Sequence, residues 1–278
     1  MKDAPVIRES ATQTTEGPAI VFDNVTVGFG ERDILRGISF AVQSRETLVL
    51  LGETGTGKTL LMKLAAGLLQ PDRGSIEVLG KPISQMSELD LLEFRRHVGF
   101  VFQEGALFDS LTVGENVAYR LIEDDETEEQ YLPKVQEALR FVELENTVDM
   151  LPSELSGGMR RRVSIARALV TQPPVVLYDS PTAGLDPVTS QTIISLILRL
   201  RDVFGVTALL ATHRVQDGFG LANFFFDPKS KHVRRDVTEA TAGSVTRFLV
   251  LRDGRIYFQG TPEEFLHSND QYLQRFLI

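Results

Sequence analysis

A glycine-rich octapeptide ahead of a helical pattern is the strongest chemical signal in this sequence. It fits G-x-x-x-x-G-K-[ST] and lies between an apolar run, Thr47–Leu51, and a helix-like run, Thr59–Ala66. Glycines let backbone N–H groups converge on phosphate oxygens, and the helix start adds partial positive charge. The pattern predicts a nucleotide site in which Lys58 contacts the β- and γ-phosphates and the Thr59 hydroxyl ligates Mg²⁺. The predicted nucleotide-binding residues are Gly52, Glu53, Thr54, Gly55, Thr56, Gly57, Lys58, Thr59 and the adjoining Leu60.

An acidic residue at the end of a second apolar run would complete this site. Asp179 follows Val175–Tyr178, which reads as a buried strand. In phosphoryl-transfer sites built on a phosphate loop, such an aspartate holds Mg²⁺. A lone aspartate after a strand indicates little, but together with the glycine-rich loop it supports a site for ATP and Mg²⁺.

A second anion-binding helix start is predicted at Leu155–Met159. Ser156 is a typical helix N-cap, and Gly157 and Gly158 leave backbone N–H groups approachable. One triphosphate does not need two such sites in one chain, so we expect each helix start to complete a nucleotide site on another subunit. The basic run that follows, Arg160–Arg162, is predicted to be a solvated helix face rather than a nucleic-acid-binding patch.

Together these motifs resemble those of ATP-binding-cassette (ABC) ATPase subunits, over about residues 18–265. The resemblance implies roles for further residues. Phe29 would stack on adenine, and Gln103 would contact Mg²⁺ and water and relay to a membrane subunit. His213 would contact the γ-phosphate, and the loop Ala183–Asp186 would cross to the other subunit.

Parts of the chain resemble more narrowly the ATPases of Mla/Mce-type lipid transporters. These parts are Gly105–Val113, Glu115–Val117, Gly158–Arg162 and Arg214–Gly220. The resemblance implies an ATP-binding, energy-coupling subunit of a lipid transporter, peripheral on the cytoplasmic face of the bacterial inner membrane. Its partners would be a second ABC ATPase subunit, identical or different, and a membrane permease contacting the region Gln103–Val117. No nucleic-acid partner is expected.

The sequence departs from the family pattern at the residue after Asp179. Family members carry a glutamate there that polarises the attacking water, whereas this chain has Ser180. A serine hydroxyl can hold a water but cannot usefully accept its proton near pH 7. Phosphoryl transfer relies mostly on positioning and electrostatics, so slow hydrolysis remains feasible. The groups that would support it are Mg²⁺ and Lys58, Gln103, His213 and a partner's Ser156.

Three interpretations of Ser180 are open. The chain could hydrolyse ATP slowly as a homodimer, with Gln103 and His213 positioning the water. It could be the degenerate half of a heterodimer, lending Ser156–Gly158 to a competent site, or Ser180 could be an engineered change that traps ATP. Two further classes are a binding-only regulatory cassette and a soluble ABC protein acting on nucleic acid. The latter typically has two cassettes, a long coiled coil or a zinc insert, and none is visible here.

The elements that must position these residues alternate between strand and helix. Short apolar runs at Val175–Tyr178 and Val206–Leu210 flank the helix-like Ser190–Asp202, an order that implies parallel pairing in one sheet. We therefore predict an α/β fold with a RecA-like P-loop core. An antiparallel β portion and an inserted helical subdomain, about residues 104–162, complete the expected ABC nucleotide-binding domain.

The ends of the chain and one internal segment have less typical patterns. Residues 1–17 are predicted to be a flexible tail and residues 266–278 a C-terminal helical extension. Residues 223–244 are polar and mixed in charge, which indicates an inserted excursion. Asp253-Gly254 between two β-like runs predicts a hairpin with a type I′ turn.

Composition limits the function classes. The chain has 278 residues, 29 Lys+Arg against 38 Asp+Glu and no cysteine, which excludes disulfides, thiolate–zinc sites and a cysteine nucleophile. The acidic balance argues weakly against a protein that wraps duplex DNA, and much of it lies in Glu123–Glu129, predicted to be a solvated loop or helix start. No apolar run approaches the roughly 18 residues that span a bilayer. We expect a cytoplasmic protein that reaches a membrane through a partner.

Overall fold

The structure is a computed structural model that describes residues 17–30, 32–235 and 245–277. The predicted tail, except Gly17, and part of the predicted excursion, residues 236–244, lie outside the described residues. The strands are β1 (Pro18–Phe29), β2 (Arg32–Gln43), β3 (Thr47–Leu51), β4 (Arg73–Val78), β5 (Val98–Val101), β6 (Val175–Asp179), β7 (Thr207–Ala211), β8 (Phe225–Asp227), β9 (His232–Arg234), β10 (Thr246–Arg252) and β11 (Arg255–Gly260). The helices are α1 (Lys58–Ala65), α2 (Glu88–Phe94), α3 (Val113–Glu123), α4 (Glu128–Phe141), α5 (Gly157–Leu169), α6 (Pro187–Phe204), α7 (Val215–Asn223), α8 (Pro262–Leu266) and α9 (Gln271–Gln274).

A six-stranded sheet forms the centre of the molecule, in the order β11-β10-β3-β7-β6-β5. All neighbouring pairs from β10 to β5 are parallel, and β11 pairs antiparallel with β10. Every residue of β3, β6 and β7 is buried, as expected for strands covered on both faces. The predicted parallel pairing of β6 with β7 and the α/β class are confirmed.

Alternate residues of β3 contribute to two different cores. Leu48 and Leu50 pack with α1, α2 and the antiparallel sheet β2-β1-β4. Val49 and Leu51 lie on the opposite face with residues from α3 to α7. Because side chains alternate across a strand, one apolar run supplies both cores. Strand β3 is therefore fixed by packing on both of its faces.

Helices α3, α4 and α5 lie between β5 and β6 in the chain. Thr112 and Glu115 form a capping box at the start of α3. The buried Asn116 on this helix accepts a hydrogen bond from the backbone N–H of Phe108 at 2.8 Å and donates to its carbonyl at 3.0 Å. Asn116 therefore fixes the segment that follows Gln103. The acidic run spans the end of α3 and the start of α4.

The hairpin β10–β11 has the predicted turn. Asp253 and Gly254 have φ of 51° and 74°, as a type I′ turn requires. A Cβ on Gly254 would lie 2.3 Å from the carbonyl oxygen of Ile34, so the turn approaches β2 too closely for a larger residue. In the part of the chain that the structure describes, no helix has the length and apolar character to cross a bilayer.

Candidate functional site

Four loops at one edge of the central sheet carry the predicted site residues. They follow β3, β5, β6 and β7, which are parallel neighbours, so their carboxyl ends meet at the same edge. The loop after β3 and the first turn of α1 together carry residues 52–59. The loops after β5 and β7 carry Gln103 and His213, and Asp179 at the end of β6 is followed by Ser180 in the next loop. In open α/β sheets this edge is where ligands bind.

The glycine-rich loop between β3 and α1 encloses the Lys58 side chain. The Lys58 ammonium donates hydrogen bonds to the carbonyl oxygens of Gly52 at 2.7 Å and Glu53 at 2.9 Å, and the residue is only 9% exposed. Burial lowers the pKa of Lys58, and the negative charge of Asp179 opposes this shift. A phosphate group entering the loop would give this desolvated cation a direct countercharge.

Two glycines of the loop adopt conformations that larger residues would strain. Gly57, the N-cap of α1, has φ of 102°, and a Cβ there would lie 2.6 Å from Cδ2 of Leu35. Gly55 has φ of 82° and open space around it. Gly57 therefore permits close packing on Leu35, and Gly55 leaves the approach to the start of α1 open to an anion. Thr59 is exposed at this helix start, as Glu53 and Thr54 are in the loop, whereas Leu60 is buried in the core.

Asp179 ends β6 and is 5% exposed. Hard cations such as Mg²⁺ take oxygen ligands, and the Asp179 carboxylate, the Thr59 hydroxyl and the Gln103 amide oxygen are of this type. Among the described residues, no group of three or more His, Cys, Asp or Glu side chains could hold a metal by itself. The donor set fits Mg²⁺ bound partly through nucleotide phosphates and water, which is how proteins usually hold this ion.

Ser180 lies in a left-handed backbone conformation with φ of 50°. Its N–H donates to the carbonyl oxygen of Ala211 at 2.9 Å, and its hydroxyl donates to Oδ1 of Asp179 at 3.4 Å. The turn is therefore tied to β7 and oriented towards the acidic strand end. The hydroxyl can hold a water molecule through its lone pairs but supplies no carboxylate to accept a proton.

Gln103 is exposed, and hydrogen bonds from α5 hold the loop that carries it. The Arg167 guanidinium donates to the carbonyl oxygens of Gly105 at 2.8 Å and Ala106 at 2.7 Å. Both residues have positive φ. The loop then leads to Phe108, which is 43% exposed and lies 4.6 Å from the Tyr119 ring, measured between centroids. The structure thus joins Gln103 to an exposed aromatic pair.

His213 is exposed at the end of β7, next to a buried polar network that the sequence did not indicate. The hydroxyls of Thr182 and Thr212 donate to Oδ2 of Asp217 at 2.6 and 2.8 Å. All three residues are buried. Asp217 therefore ties the loop after β6 to the loop that presents His213. The sequence feature that could have indicated this network is an aspartate five residues after Thr212, in the first turn of a helix.

Replacing Asp217 with alanine is expected to lower the free energy of unfolding by about 3 kcal/mol, because two buried hydroxyls lose a charged acceptor. Urea denaturation of the full chain measures this loss. Asp217→Asn keeps one acceptor oxygen and should lose less than the alanine variant. A loss for Asp217→Ala of less than about 1 kcal/mol, no more than an ordinary hydrogen bond, would contradict the inferred tether.

The helix start at Ser156 is open to solvent. The Ser156 hydroxyl accepts a hydrogen bond from the N–H of Met159 at 3.2 Å, as predicted for an N-cap. Gly157 is exposed, and a Cβ there would meet nothing closer than 3.8 Å. Gly158 has a different constraint, because a Cβ there would lie 2.4 Å from Cγ2 of Thr189. Gly158 therefore permits close packing on α6.

Phe29 lies at the end of β1 and is 64% exposed. An aromatic ring with this much exposed surface is free to stack on a planar ligand. The structure places it beside the turn at Gly30, on the antiparallel sheet rather than on the central one.

The predicted solvated face at Arg160–Arg162 is wrong for Arg161. Arg161 is 5% exposed, and its guanidinium donates to three backbone carbonyls in two other segments, the loops after β5 and β6. It shares a helical face with the buried Ser164 and Ala168, three and seven residues later. Three consecutive arginines look like one charged surface in sequence, but a helix turns them in different directions.

Comparison with known proteins gives a consistent relationship. A family model described as ABC transporter matches residues 35–183. The chain is 36% identical over 265 residues to Protein TRIGALACTOSYLDIACYLGLYCEROL 3, chloroplastic, of Arabidopsis thaliana, covering 91% of this chain and 71% of the relative. It is 31% identical over 255 residues to the intermembrane phospholipid transport system ATP-binding protein MlaF of Haemophilus influenzae, covering 91% and 88%. A solved dimer of the ATP-binding cassette MJ0796 bound to ADP and Pi has a TM-score of 0.72 and 28% identity, covering 87% of this chain and 98% of that one.

Proposed function

Because this chain belongs to the ABC transporter family and is an ABC ATPase that couples ATP hydrolysis to transport, we propose that it drives the transport of a phospholipid or related lipid. The supporting observation is that two relatives whose names refer to lipids are similar over 91% of this chain. The proposed location is peripheral, on the cytoplasmic face of a bacterial inner membrane. In that setting the lipid is handled by a membrane permease and this chain supplies the energy.

We assign the nucleotide to the edge of the sheet where the four loops meet. Phe29 stacks on adenine, the loop of residues 52–59 with Leu60 surrounds the phosphates, and His213 contacts the γ-phosphate. Thr59, Gln103 and Asp179 are the residues that would hold Mg²⁺. When bound, the ion neutralises charge on the phosphates.

A second cassette completes each site. Ser156 and Gly157 start a helix whose N–H groups are open to solvent, so they can bind an anion presented by another subunit. The structurally similar cassette MJ0796 is dimeric with ADP and Pi bound. A homodimer satisfies this requirement, and so does a heterodimer. In either, hydrolysis at the site that contains Ser180 is slow.

The permease docks on the region Gln103–Val117. Phe108 presents an exposed ring there, which is tilted by 34° against the exposed ring of Tyr119, and the Arg167 guanidinium lies 6.0 Å from the Phe108 ring centroid. Aromatic and arginine side chains dominate the binding energy of protein interfaces. The Asn116 hydrogen bonds hold the Phe108 backbone in place, so the surface is preformed.

Phe108→Asp is expected to reduce the amount of permease recovered with the tagged chain from detergent-solubilised membranes at least about tenfold, because a charge replaces a buried interface ring. ATP affinity should stay within about twofold, since Phe108 is not among the residues assigned to contact the nucleotide. Leu266→Asp, on α8, is the matched control, because Leu266 is also exposed and apolar but lies elsewhere. Equal recovery with all three proteins would contradict this docking surface.

The lipid assignment is tested on the permease–ATPase complex recovered in this way. ATP hydrolysis by the complex in vesicles is compared with and without added phospholipid, and transfer of a fluorescent phospholipid is followed with ATP and without it. We expect stimulation and ATP-dependent transfer. A complex that hydrolyses ATP but responds only to a small water-soluble solute would contradict the lipid cargo while leaving the ATPase intact.

A further inference from the structure

A single buried guanidinium lies between two of the loops that form the nucleotide site, those after β5 and β6. One nitrogen of Arg161 donates to the carbonyl oxygen of Ser180 at 3.1 Å and to that of Phe102 at 3.4 Å. The other donates to the carbonyl oxygen of Ala183 at 3.4 Å. The Phe102 carbonyl lies in the loop after β5. The Ser180 and Ala183 carbonyls lie in the loop after β6, where Ala183 begins the stretch predicted to reach the second subunit.

Burying the positive charge of Arg161 costs free energy, which indicates that its hydrogen bonds to the three carbonyls are important. Arg161 forms no ion pair among the described residues, although Glu104 and Asp179 lie close enough to stabilise its charge. Burial lowers the pKa of Arg161, and these two carboxylates oppose the shift. An arginine remains charged even there, and its planar fork can bond several carbonyl oxygens at once.

Each of the three carbonyls is adjacent to a group used in the reaction. Phe102 directly precedes Gln103. Ser180 occupies the position that would lie next to the attacking water, and Ala183 is the first residue of the crossing loop Ala183–Asp186. A shift of Arg161 would therefore move all three groups relative to the γ-phosphate. Because such misplacement by about 1 Å can slow a reaction on the order of 100-fold, holding them together affects rate more than binding.

We propose that Arg161 is a positioning residue for ATP hydrolysis, which sets the Gln103 loop, Ser180 and the crossing loop in one arrangement. It does not touch the nucleotide and acts through the three backbone carbonyls. The inference rests on the proposed roles of Gln103 and Ser180 but not on the lipid cargo. Because no carboxylate follows Asp179 in this chain, the rate of ATP hydrolysis depends more strongly on this arrangement than it would with a carboxylate there.

The neighbouring Arg162 offers a matched control. It lies on the same helix, and its guanidinium also donates to backbone carbonyls, those of Val142 at 3.0 Å and Glu143 at 3.3 Å. These carbonyls belong to the end of α4, away from the sheet edge. An arginine that only braces the fold should behave like Arg162, whereas a positioning residue should not.

The test measures ATP affinity and single-turnover hydrolysis on the full-length chain, with protein in excess over labelled ATP and Mg²⁺ so that a slow rate is measurable. We expect Arg161→Gln to lower the hydrolysis rate at least about tenfold, within the range that loss of preorganised positioning produces, while the Kd for ATP stays within about twofold. Arg162→Gln should change neither quantity more than about twofold. Hydrogen exchange of residues 102–106 and 180–184 should rise in Arg161→Gln alone.

Arg161→Lys separates geometry from charge and serves if the glutamine variant does not fold. Lysine keeps the buried positive charge but replaces the fork with a single point donor. The proposal expects slow hydrolysis with unchanged ATP affinity for this variant too. Wild-type rates in either Arg161 variant, or equal losses in the Arg161 and Arg162 variants, would overturn it. So would a loss of ATP affinity that matches the loss of rate. None of these measurements needs a membrane partner, so failure of the transport proposal would be seen separately.

Discussion

Ser180→Glu is expected to raise steady-state ATP hydrolysis at least several-fold. The change places a carboxylate directly after Asp179, where the wild-type hydroxyl donates to Oδ1 of that aspartate. A carboxylate can orient the attacking water and accept its proton, and general-base catalysis contributes on the order of 100- to 10,000-fold. The gain is limited only by how well the existing loops already position the water. The backbone bond from Ser180 N–H to Ala211 is independent of the side chain and should persist.

Ser180→Gln is the matched control. Both replacements have similar size and both must adopt the left-handed conformation at residue 180, so any conformational cost of about 1 kcal/mol is common to them. Only glutamate adds a group that accepts a proton. Hydrolysis is measured with purified protein at saturating ATP and Mg²⁺, alongside the unfolding midpoint of each variant. Equal rates for wild type and Ser180→Glu would show that Ser180 is not a catalytic deficit.

The same comparison separates a slow homodimer, the degenerate half of a heterodimer and a binding-only cassette. A slow homodimer already hydrolyses ATP as wild type and accelerates with glutamate. The degenerate half of a heterodimer hydrolyses at its own site only after the substitution, although its Ser156 helix start still serves the partner. A binding-only cassette binds ATP without hydrolysing it, both as wild type and as Ser180→Glu. Single-turnover measurements on wild type and Ser180→Glu therefore assign the chain to one of these classes.

The strands of the central sheet could be predicted from sequence because their residues are apolar throughout. The predicted Thr47–Leu51 coincides with β3, and the predicted Val175–Tyr178 falls one residue short of β6. Helix α6 begins three residues before the predicted Ser190, at Pro187. Asp186 caps this helix, accepting hydrogen bonds from two backbone N–H groups at 3.0 Å. The helix therefore begins at the residue after its cap, ahead of the apolar pattern from which it was predicted.

The residues that hold the site together could not be predicted in the same way. Arg161 bonds Phe102, which is 59 residues away, and Asp217 bonds Thr182, which is 35 residues away. Every residue has a carbonyl, so an arginine that bonds backbone oxygens leaves no signature in the types of its partners. A sequence motif reports groups that contact the ligand. The groups behind them appear only when the loops are brought together.

At Gly158 the structure gives a reason for a glycine that the sequence pattern did not indicate. The pattern indicated a glycine that leaves N–H groups open to an anion. The structure adds that Thr189 occupies the place of a Cβ on Gly158, whereas Gly157 has open space. The two glycines therefore have different constraints: Gly158 is needed for packing within this chain, and Gly157 leaves the helix start open.

Lys58→Ala is expected to lower the affinity for ATP at least about 100-fold. The ammonium donates to two carbonyl oxygens of its own loop, and a phosphate would replace these weak acceptors with charged ones. A hydrogen bond to a charged group is worth about 1.5–3 kcal/mol, so losing two of them costs about 3–6 kcal/mol, and each 1.4 kcal/mol is tenfold in affinity. Because the lysine is already desolvated in the free protein, little of this gain is lost in dehydrating it when ATP binds.

Lys63→Ala provides the control for this loss. Lys63 lies in the last turn of the same helix and is exposed, so its removal changes the net charge equally without touching the loop. Calorimetric titration with ATP and Mg²⁺ should give an affinity within about twofold of wild type for Lys63→Ala, because an exposed charge is screened by solvent and salt. Similar affinities for the Lys58 and Lys63 variants would mean that long-range charge, rather than the enclosed ammonium, binds the phosphates. A selective loss at Lys58 would place the triphosphate in the loop between β3 and α1, next to Asp179 and the position of the missing carboxylate.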